Sequence, residues 1–332
     1  MTEFNLESIP RISLCLLPTS IVPLKRLSQY FGGAEIFMKR DDLTGVAFGG
    51  NKNRKLEFLL ADAKQKGADV IVTEGALQSN HCLQTAACST KLGFKCELVL
   101  SGKNPDFITG NLLLDQILDV KIHRAKDSVE RKELMVRVEE ELKAEGKKPY
   151  MIPTGGSTSI GALGYLNFIF EVAQQSKKLG VSFSHLIHST GSGGTQSGLL
   201  IGRELYFPDL KILGINVGEP KGKLETIIKG IIKDFNQDRG LKLMIGDGSI
   251  KVLEGYFGED YGIPTQEMID MIKLVAKLEG VFLDPVYTGK AMVGLADLIK
   301  NNVISKDSKV LFLHSGGGPS IFNYKDIFTT HS

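Results

Sequence analysis

A lysine set directly behind two glycines is the first residue of this chain whose surroundings could give it chemistry. In Phe48-Gly49-Gly50-Asn51-Lys52-Asn53-Arg54-Lys55-Leu56-Glu57 an amphipathic helical pattern follows the glycines at once. The glycines free the backbone for unusual angles and for close approach of a ligand. A lysine at the mouth of a helix stands among unpaired N–H groups and a positive dipole end, and both disfavour its ammonium form. Such an amine can be a nucleophile or Schiff-base former, although the same ten residues also suit an ordinary solvated helix start.

Four further stretches carry polar or glycine-rich patterns at the ends of apolar runs. Thr190-Gly191-Ser192-Gly193-Gly194-Thr195 joins a strand to a helix, so backbone N–H groups can converge there on a phosphate, or simply make a tight turn. A dinucleotide fingerprint fails because position 196 is Gln. The Gly45–Gly50 run approaches a nucleotide loop, but Asn51 stands where the lysine belongs and no Ser or Thr follows Lys52. In Gln78-Ser79-Asn80-His81, helix capping accounts for one of the polar residues. The run as a whole suits a substrate carboxylate and a phenolic oxygen. Asp284-Pro285-Val286-Tyr287-Thr288-Gly289-Lys290 offers Tyr287 as a site residue or a satisfied core tyrosine, and Thr288 as a cap. His314-Ser315-Gly316-Gly317-Gly318-Pro319 suggests another close backbone approach, with His314 structural. No His or Cys spacing builds a metal site.

The elements that must position these residues alternate regularly. Residues 1–47 suggest an extended arm with a strand at 36–40 and a turn at 41–45. Helices are expected over 56–66, 80–92, 109–118 and 127–145, with strands at 69–73, 96–100, 120–123 and 150–153. A second series has helices at 163–178, 196–205, 221–235, 264–279 and 289–301, and strands at 185–188, 212–217 and 310–314. This is an α/β chain with parallel sheets and crossover helices, whose ligands belong at the carboxyl ends of the strands. The glycine-rich turns all fall at such ends.

Composition narrows the function class. The net charge is +2 and there is no Trp, so nothing favours nucleic acid or an anionic membrane as partner. Cys15, Cys82, Cys88 and Cys96 form no Cys-x-x-Cys pair, which suits free thiols in the reducing cytoplasm. Glu3, Glu7, Pro18 and Pro23 are too acidic and interrupting for a secretory signal, and no apolar run is long enough to span a bilayer.

Together the five stretches resemble the pyridoxal-phosphate enzymes of the tryptophan-synthase-beta fold, in the branch holding D-cysteine desulfhydrases and 1-aminocyclopropane-1-carboxylate (ACC) deaminases. The resemblance runs from Arg40-Asp41-Asp42 to His314-Ser315-Gly316-Gly317. It implies fold type II, with two open, mostly parallel sheets and helices on both faces. A large domain of residues 1–49 and 161–332 and a smaller one of 50–160 would enclose the site. It further implies pyridoxal 5′-phosphate on Lys52, a phosphate cradle at Gly191, Ser192, Gly193, Gly194 and Thr195, and Asn51, Asn80, Thr288 and Ser315 around the cofactor. Gln78, Ser79, Asn80, His81, Tyr261 and Tyr287 would face an amino-acid substrate, with Lys52, Ser79 and Tyr287 catalytic, in a homodimer.

ACC deaminases of this branch resemble the chain but carry Glu and Leu where it has Thr288 and Ser315, and tend to Gln at His81. The expected reaction is therefore α,β-elimination of D-cysteine. ACC deamination or elimination from a related β-substituted amino acid is the alternative, and a non-catalytic phosphate-binding protein lies outside the class.

Overall fold

The computed structural model describes residues 4–329, so Glu3 of the acidic N-terminal stretch lies outside them. Ten strands are assigned: β1 (Ile21–Pro23), β2 (Glu35–Arg40), β3 (Val70–Ala76), β4 (Lys95–Ser101), β5 (Lys121–Ala125), β6 (Pro149–Ile152), β7 (His185–Thr190), β8 (Lys211–Asn216), β9 (Lys251–Leu253) and β10 (Lys309–His314). Between them run α1 (Lys25–Phe31), α2 (Asn51–Gln65), α3 (Asn80–Lys91), α4 (Gly110–Ile117), α5 (Ser128–Ala144), α6 (Ser159–Leu179), α7 (Gly194–Tyr206), α8 (Lys221–Arg239), α9 (Gln266–Glu279) and α10 (Thr288–Lys300), with α11 (Lys325–Phe328) after β10.

Six strands form one sheet in the order β1-β2-β10-β7-β8-β9, and four form another in the order β5-β4-β3-β6. Among the paired strands described, only β1 and β2 run antiparallel. Every other neighbour is parallel because a crossover connection returns the chain to the same edge. Two apolar clusters cover the faces of the larger sheet: Leu186, Leu311 and Leu313 pack against α6, α7 and α8, while Ile187, Val310 and Phe312 pack against α9 and α10. The fold is the expected α/β arrangement of two mostly parallel sheets.

Several boundaries differ from the sequence expectation, each for a tertiary reason. The arm contains α1, a helix whose single buried side chain is Leu27, and β9 is a three-residue edge strand too short for a periodic signal. Helix α6 starts at Ser159 because Thr158 accepts the Gly161 N–H as its cap. Helix α2 begins at Asn51, immediately after the glycines, and it is not amphipathic in the folded chain. Residues 53–61 are all buried, including Arg54, Lys55 and Glu57. Each of those charged groups has a distant partner, which is the condition for burying it. The Glu57 carboxylate accepts the Leu14 and Cys15 N–H groups and pairs with Arg11, holding the N-terminal arm against the helix.

Candidate active site

The start of α2 is where the loops meet. The Asn51 N–H donates to the Ser315 carbonyl at 2.9 Å, joining the loop after β10 to the helix. A Cβ on Gly316 would lie 2.6 Å from the Gly50 Cα, so two glycine backbones occupy space that side chains would fill. Gly50 offers no side-chain cap. Gln84 of α3 replaces it, its Oε1 accepting the Lys52 and Asn53 N–H groups at 3.1 and 3.2 Å. The Lys52 Nζ donates to Asn51 Oδ1 at 2.9 Å, and the Asn51 amide donates in turn to Thr195 Oγ1 at 3.2 Å. Burial pushes the Lys52 ammonium down to about 8, against the opposing pull of Asp284. The amine is thus available as a nucleophile near neutral pH.

The loop after β7 forms the next wall. Gly193 takes φ 78° as N-cap of α7, which gives the chain its turn from strand to helix. Ser157 donates its hydroxyl to Ser192 Oγ at 2.8 Å, clasping the 155–157 turn onto this loop. A Cβ on Gly194 would meet Ser157 Oγ at 2.7 Å and Lys55 Nζ at 3.0 Å. Lys55 is one turn beyond Lys52, buried, and donates to the Gly155 carbonyl at 3.0 Å. Burial and the nearby Lys52 hold its ammonium well below the ordinary lysine range. An anion at the loop relieves that cost. Its i+3 spacing from Lys52 was the available sequence signal, and it marks a shared helix face only once the helix is known to start at Asn51.

On the third side, Ser79 is the N-cap of α3: its Oγ accepts the Cys82 N–H at 3.2 Å, leaving its own proton free to donate. His81 is buried, with Nε2 2.7 Å from Thr73 Oγ1, and that hydroxyl gives its proton to the Ile152 carbonyl. The ring nitrogen therefore donates. Burial, then Lys52 and Lys55, depress its pKa well below the usual histidine value, so the ring is neutral. Gln78 is turned away: its Oε1 accepts the Asn111 N–H at 2.8 Å and its amide donates to the Thr109 carbonyl at 3.0 Å. The side chain expected at the substrate is thus committed to the start of α4.

Tyr287 and Tyr261 close the fourth side, with hydroxyls 2.5 Å apart and rings edge to face. A Cβ on Gly191 would stand 3.8 Å from the Tyr287 ring, which ties this pair to the β7 loop. Burial, then Tyr261, raises the Tyr287 phenol, so it remains a proton donor. Thr288 is buried, and its hydroxyl both gives its proton to Asp284 Oδ1 at 2.6 Å and accepts the Asp284 N–H at 2.8 Å. Its position is neutral, with no hydrogen left to donate outward. Ser315 is buried with its Oγ 3.5 Å from Ser189 Oγ. No group of His, Cys, Asp or Glu among the described residues could hold a metal ion.

A deprotonatable amine beside a glycine loop, a helix N-terminus and a second buried lysine fits a group carrying both a reactive carbonyl and a phosphate. The comparisons with known proteins agree. The family model described as pyridoxal-phosphate dependent enzyme matches residues 12–316. The chain is 40% identical to the D-cysteine desulfhydrases of Salmonella newport (strain SL254) and Salmonella heidelberg (strain SL476), over 98% of this chain and 99% of each relative. A crystal structure described as an ACC deaminase homologue superposes with a TM-score of 0.90 at 40% identity, covering 97% of this chain and 96% of that one. A pyridoxal 5′-phosphate-dependent aspartate racemase, 16% identical with a TM-score of 0.65 over 92% of this chain and 91% of that one, shares the fold. The chain belongs to the pyridoxal-phosphate-dependent enzymes.

Proposed function

We propose that this enzyme eliminates sulfide from D-cysteine, converting D-cysteine and water to pyruvate, hydrogen sulfide and ammonia. The observation that carries the reading is the near-full-length similarity to D-cysteine desulfhydrases. The site would lie between a lobe of residues 1–49 and 161–332 and a smaller lobe of 50–160. All strands of the larger sheet come from 21–40 and 185–314, and those of the smaller from 70–152.

When bound, pyridoxal 5′-phosphate supplies the electron sink for bond breaking at the substrate α-carbon. Lys52 would hold it covalently. Gly191–Thr195 and Lys55 would hold its phosphate, with Asn51 at the ring and Asn80 between the ring and the substrate carboxylate. The Lys52 amine is then the base for the α-proton. Ser79 donates its free hydroxyl proton to the substrate carboxylate, beside the unbonded N–H groups that open α3. His81, locked as a neutral donor to Thr73, keeps that helix end in register. Tyr287, with Tyr261, faces the β-substituent and can move a proton at Oη. Thr288 and Ser315 put hydroxyls where the deaminase pattern has Glu and Leu. A neutral neighbour leaves the electron sink weaker, which suffices to expel a thiolate but suits cyclopropane opening less.

A homodimer in the cytoplasm completes the proposal. All four cysteines are free and buried, which suits a reducing compartment, and no described helix is long and apolar enough to cross a membrane.

Purified enzyme should release sulfide from D-cysteine and not from L-cysteine. Ammonia and 2-oxobutyrate from ACC would contradict the reading. In the double variant Thr288→Glu, Ser315→Leu, a second carboxylate is buried against Asp284 and two hydrogen bonds are lost. D-cysteine turnover should fall by about tenfold or more, and unchanged turnover would remove Thr288 and Ser315 from the account.

The amine of Lys52 also sets a pH dependence. Below its pKa of about 8 it is largely protonated and unreactive; above it the free amine dominates. Capture of added cofactor by the cofactor-free protein should therefore accelerate about tenfold per pH unit below that point and level off above it. A rate still climbing steeply toward pH 10, as for an ordinary lysine, would contradict the placement of Lys52.

A further inference from the structure

Asn111 is the first-turn residue of α4, 31 residues from Asn80 in sequence, and no feature of its own sequence neighbourhood marks it. It is fully buried. Its Nδ2 donates to two acceptors at once, Asn80 Oδ1 at 2.7 Å and the Gln78 carbonyl at 2.8 Å. Its own Oδ1 is buried without a partner. An amide turned the other way would aim its oxygen at two acceptors and lose both bonds, so the two acceptors fix its orientation. A buried orphan carbonyl costs stability, and the structure tolerates it while supplying two donors to the Gln78–Asn80 turn.

The consequence falls on Asn80. With Oδ1 held by Asn111, its NH2 group is the free end of the amide. It stands beside the backbone N–H groups of Asn80 and His81, neither of which has an acceptor among the described residues. The Ser79 hydroxyl also has its proton to give. The Asn80 amide, these two N–H groups and the Ser79 hydroxyl thereby present donors side by side. A flipped Asn80 would put a carbonyl oxygen among them and repel an anionic oxygen.

We propose that Asn111 is a positioning residue that locks the Asn80 amide with its donors toward the cleft, and so sets the affinity of the site for the carboxylate of an amino-acid substrate. This rests on the reading of the site as an amino-acid elimination centre. Asn111 itself touches no substrate. It acts through Asn80.

The test compares Asn111→Ala and Asn111→Asp in the cofactor-loaded enzyme. Alanine frees Asn80 to rotate. Aspartate keeps the shape of the side chain but offers only acceptors, which pull the Asn80 NH2 toward α4 and leave its oxygen facing the substrate. KM for D-cysteine should rise roughly tenfold in the alanine variant and further in the aspartate variant, with kcat within about threefold of wild type. The dissociation constant of D-alanine, which lacks a leaving group and is read from the cofactor absorbance, should rise in the same order. A merely structural role predicts instead that kcat and the unfolding midpoint fall together with the affinities, since alanine leaves a hole and aspartate buries an unpaired charge. That joint loss, or wild-type KM and D-alanine affinity in both variants, would overturn the proposal. If one variant fails to fold, the D-alanine affinity of the other still decides. Should the wild type release no sulfide from D-cysteine, the elimination reading fails while the D-alanine titration still decides on Asn111.

Discussion

Replacing Lys52 with alanine should lower sulfide release from D-cysteine by about a thousandfold or more, because the account gives this one amine two tasks. It anchors the cofactor and it takes the α-proton. The loss should not come from unfolding. The neighbours that shape the helix start, Gln84 on the Lys52 and Asn53 N–H groups and Ser315 on the Asn51 N–H, act through backbone and remain in the variant. The Gly191–Thr195 loop and Lys55 also remain, so the variant should still bind the cofactor, reversibly, and an added small amine should restore part of the rate. Turnover within tenfold of wild type would mean that another base serves, and His81 does not fit that role. Its Nε2 proton is given to Thr73, and burial with Lys55 nearby holds its pKa well below the ordinary histidine value, so its unpartnered Nδ1 is a weak base.

The second large effect is on stability. Two residues beyond Lys52, Arg54 lies fully buried with its guanidinium bonded to both oxygens of Asp41, at 2.8 Å each, and to both oxygens of Glu171 at 3.0 Å. Lys39 also bonds Glu171, and Tyr165 donates to Asp41 at 2.7 Å. The network ties the end of β2, the start of α2 and the middle of α6 into one block, and Asp41 further accepts the Gly50 N–H through its carbonyl. Arg54→Met leaves two carboxylates buried with too little positive charge. It should cost about 3–5 kcal/mol, seen as a lower unfolding midpoint. Arg11→Ala removes a partly exposed partner of Glu57 on the same helix and should cost about 0–1 kcal/mol. Comparable losses in the two variants would show that the buried network does not hold the helix start.

What could be seen in the sequence was local. Lys52, the glycine loops at strand ends and the Ser79 cap all depend on neighbours within a few residues, and the structure places them at helix starts or strand ends. What stayed hidden depends on partners far along the chain. Gln84 looks like any polar helix residue until its oxygen is found on α2. The tract around Arg54, Lys55 and Glu57 suggested an exposed helix face, because its charged side chains are buried only by partners at positions 41, 155, 171 and 14–15. Gln78 gave the opposite error. Its position in a polar run suggested a contact with substrate, and the turn at Thr109–Asn111 takes up its amide instead. Thr288 was legible as the neutral residue of its loop, but not as a hydroxyl already satisfied by Asp284.

One measurement decides whether the amine at the mouth of α2 carries the cofactor. Reducing the cofactor-loaded enzyme with borohydride fixes the cofactor to the lysine that holds it, and peptide mapping then identifies that residue. Label is expected on Lys52 alone, with Lys55, one turn along the same helix, unlabelled. Label on Lys55, or none on either lysine, would contradict the placement of the cofactor on Lys52.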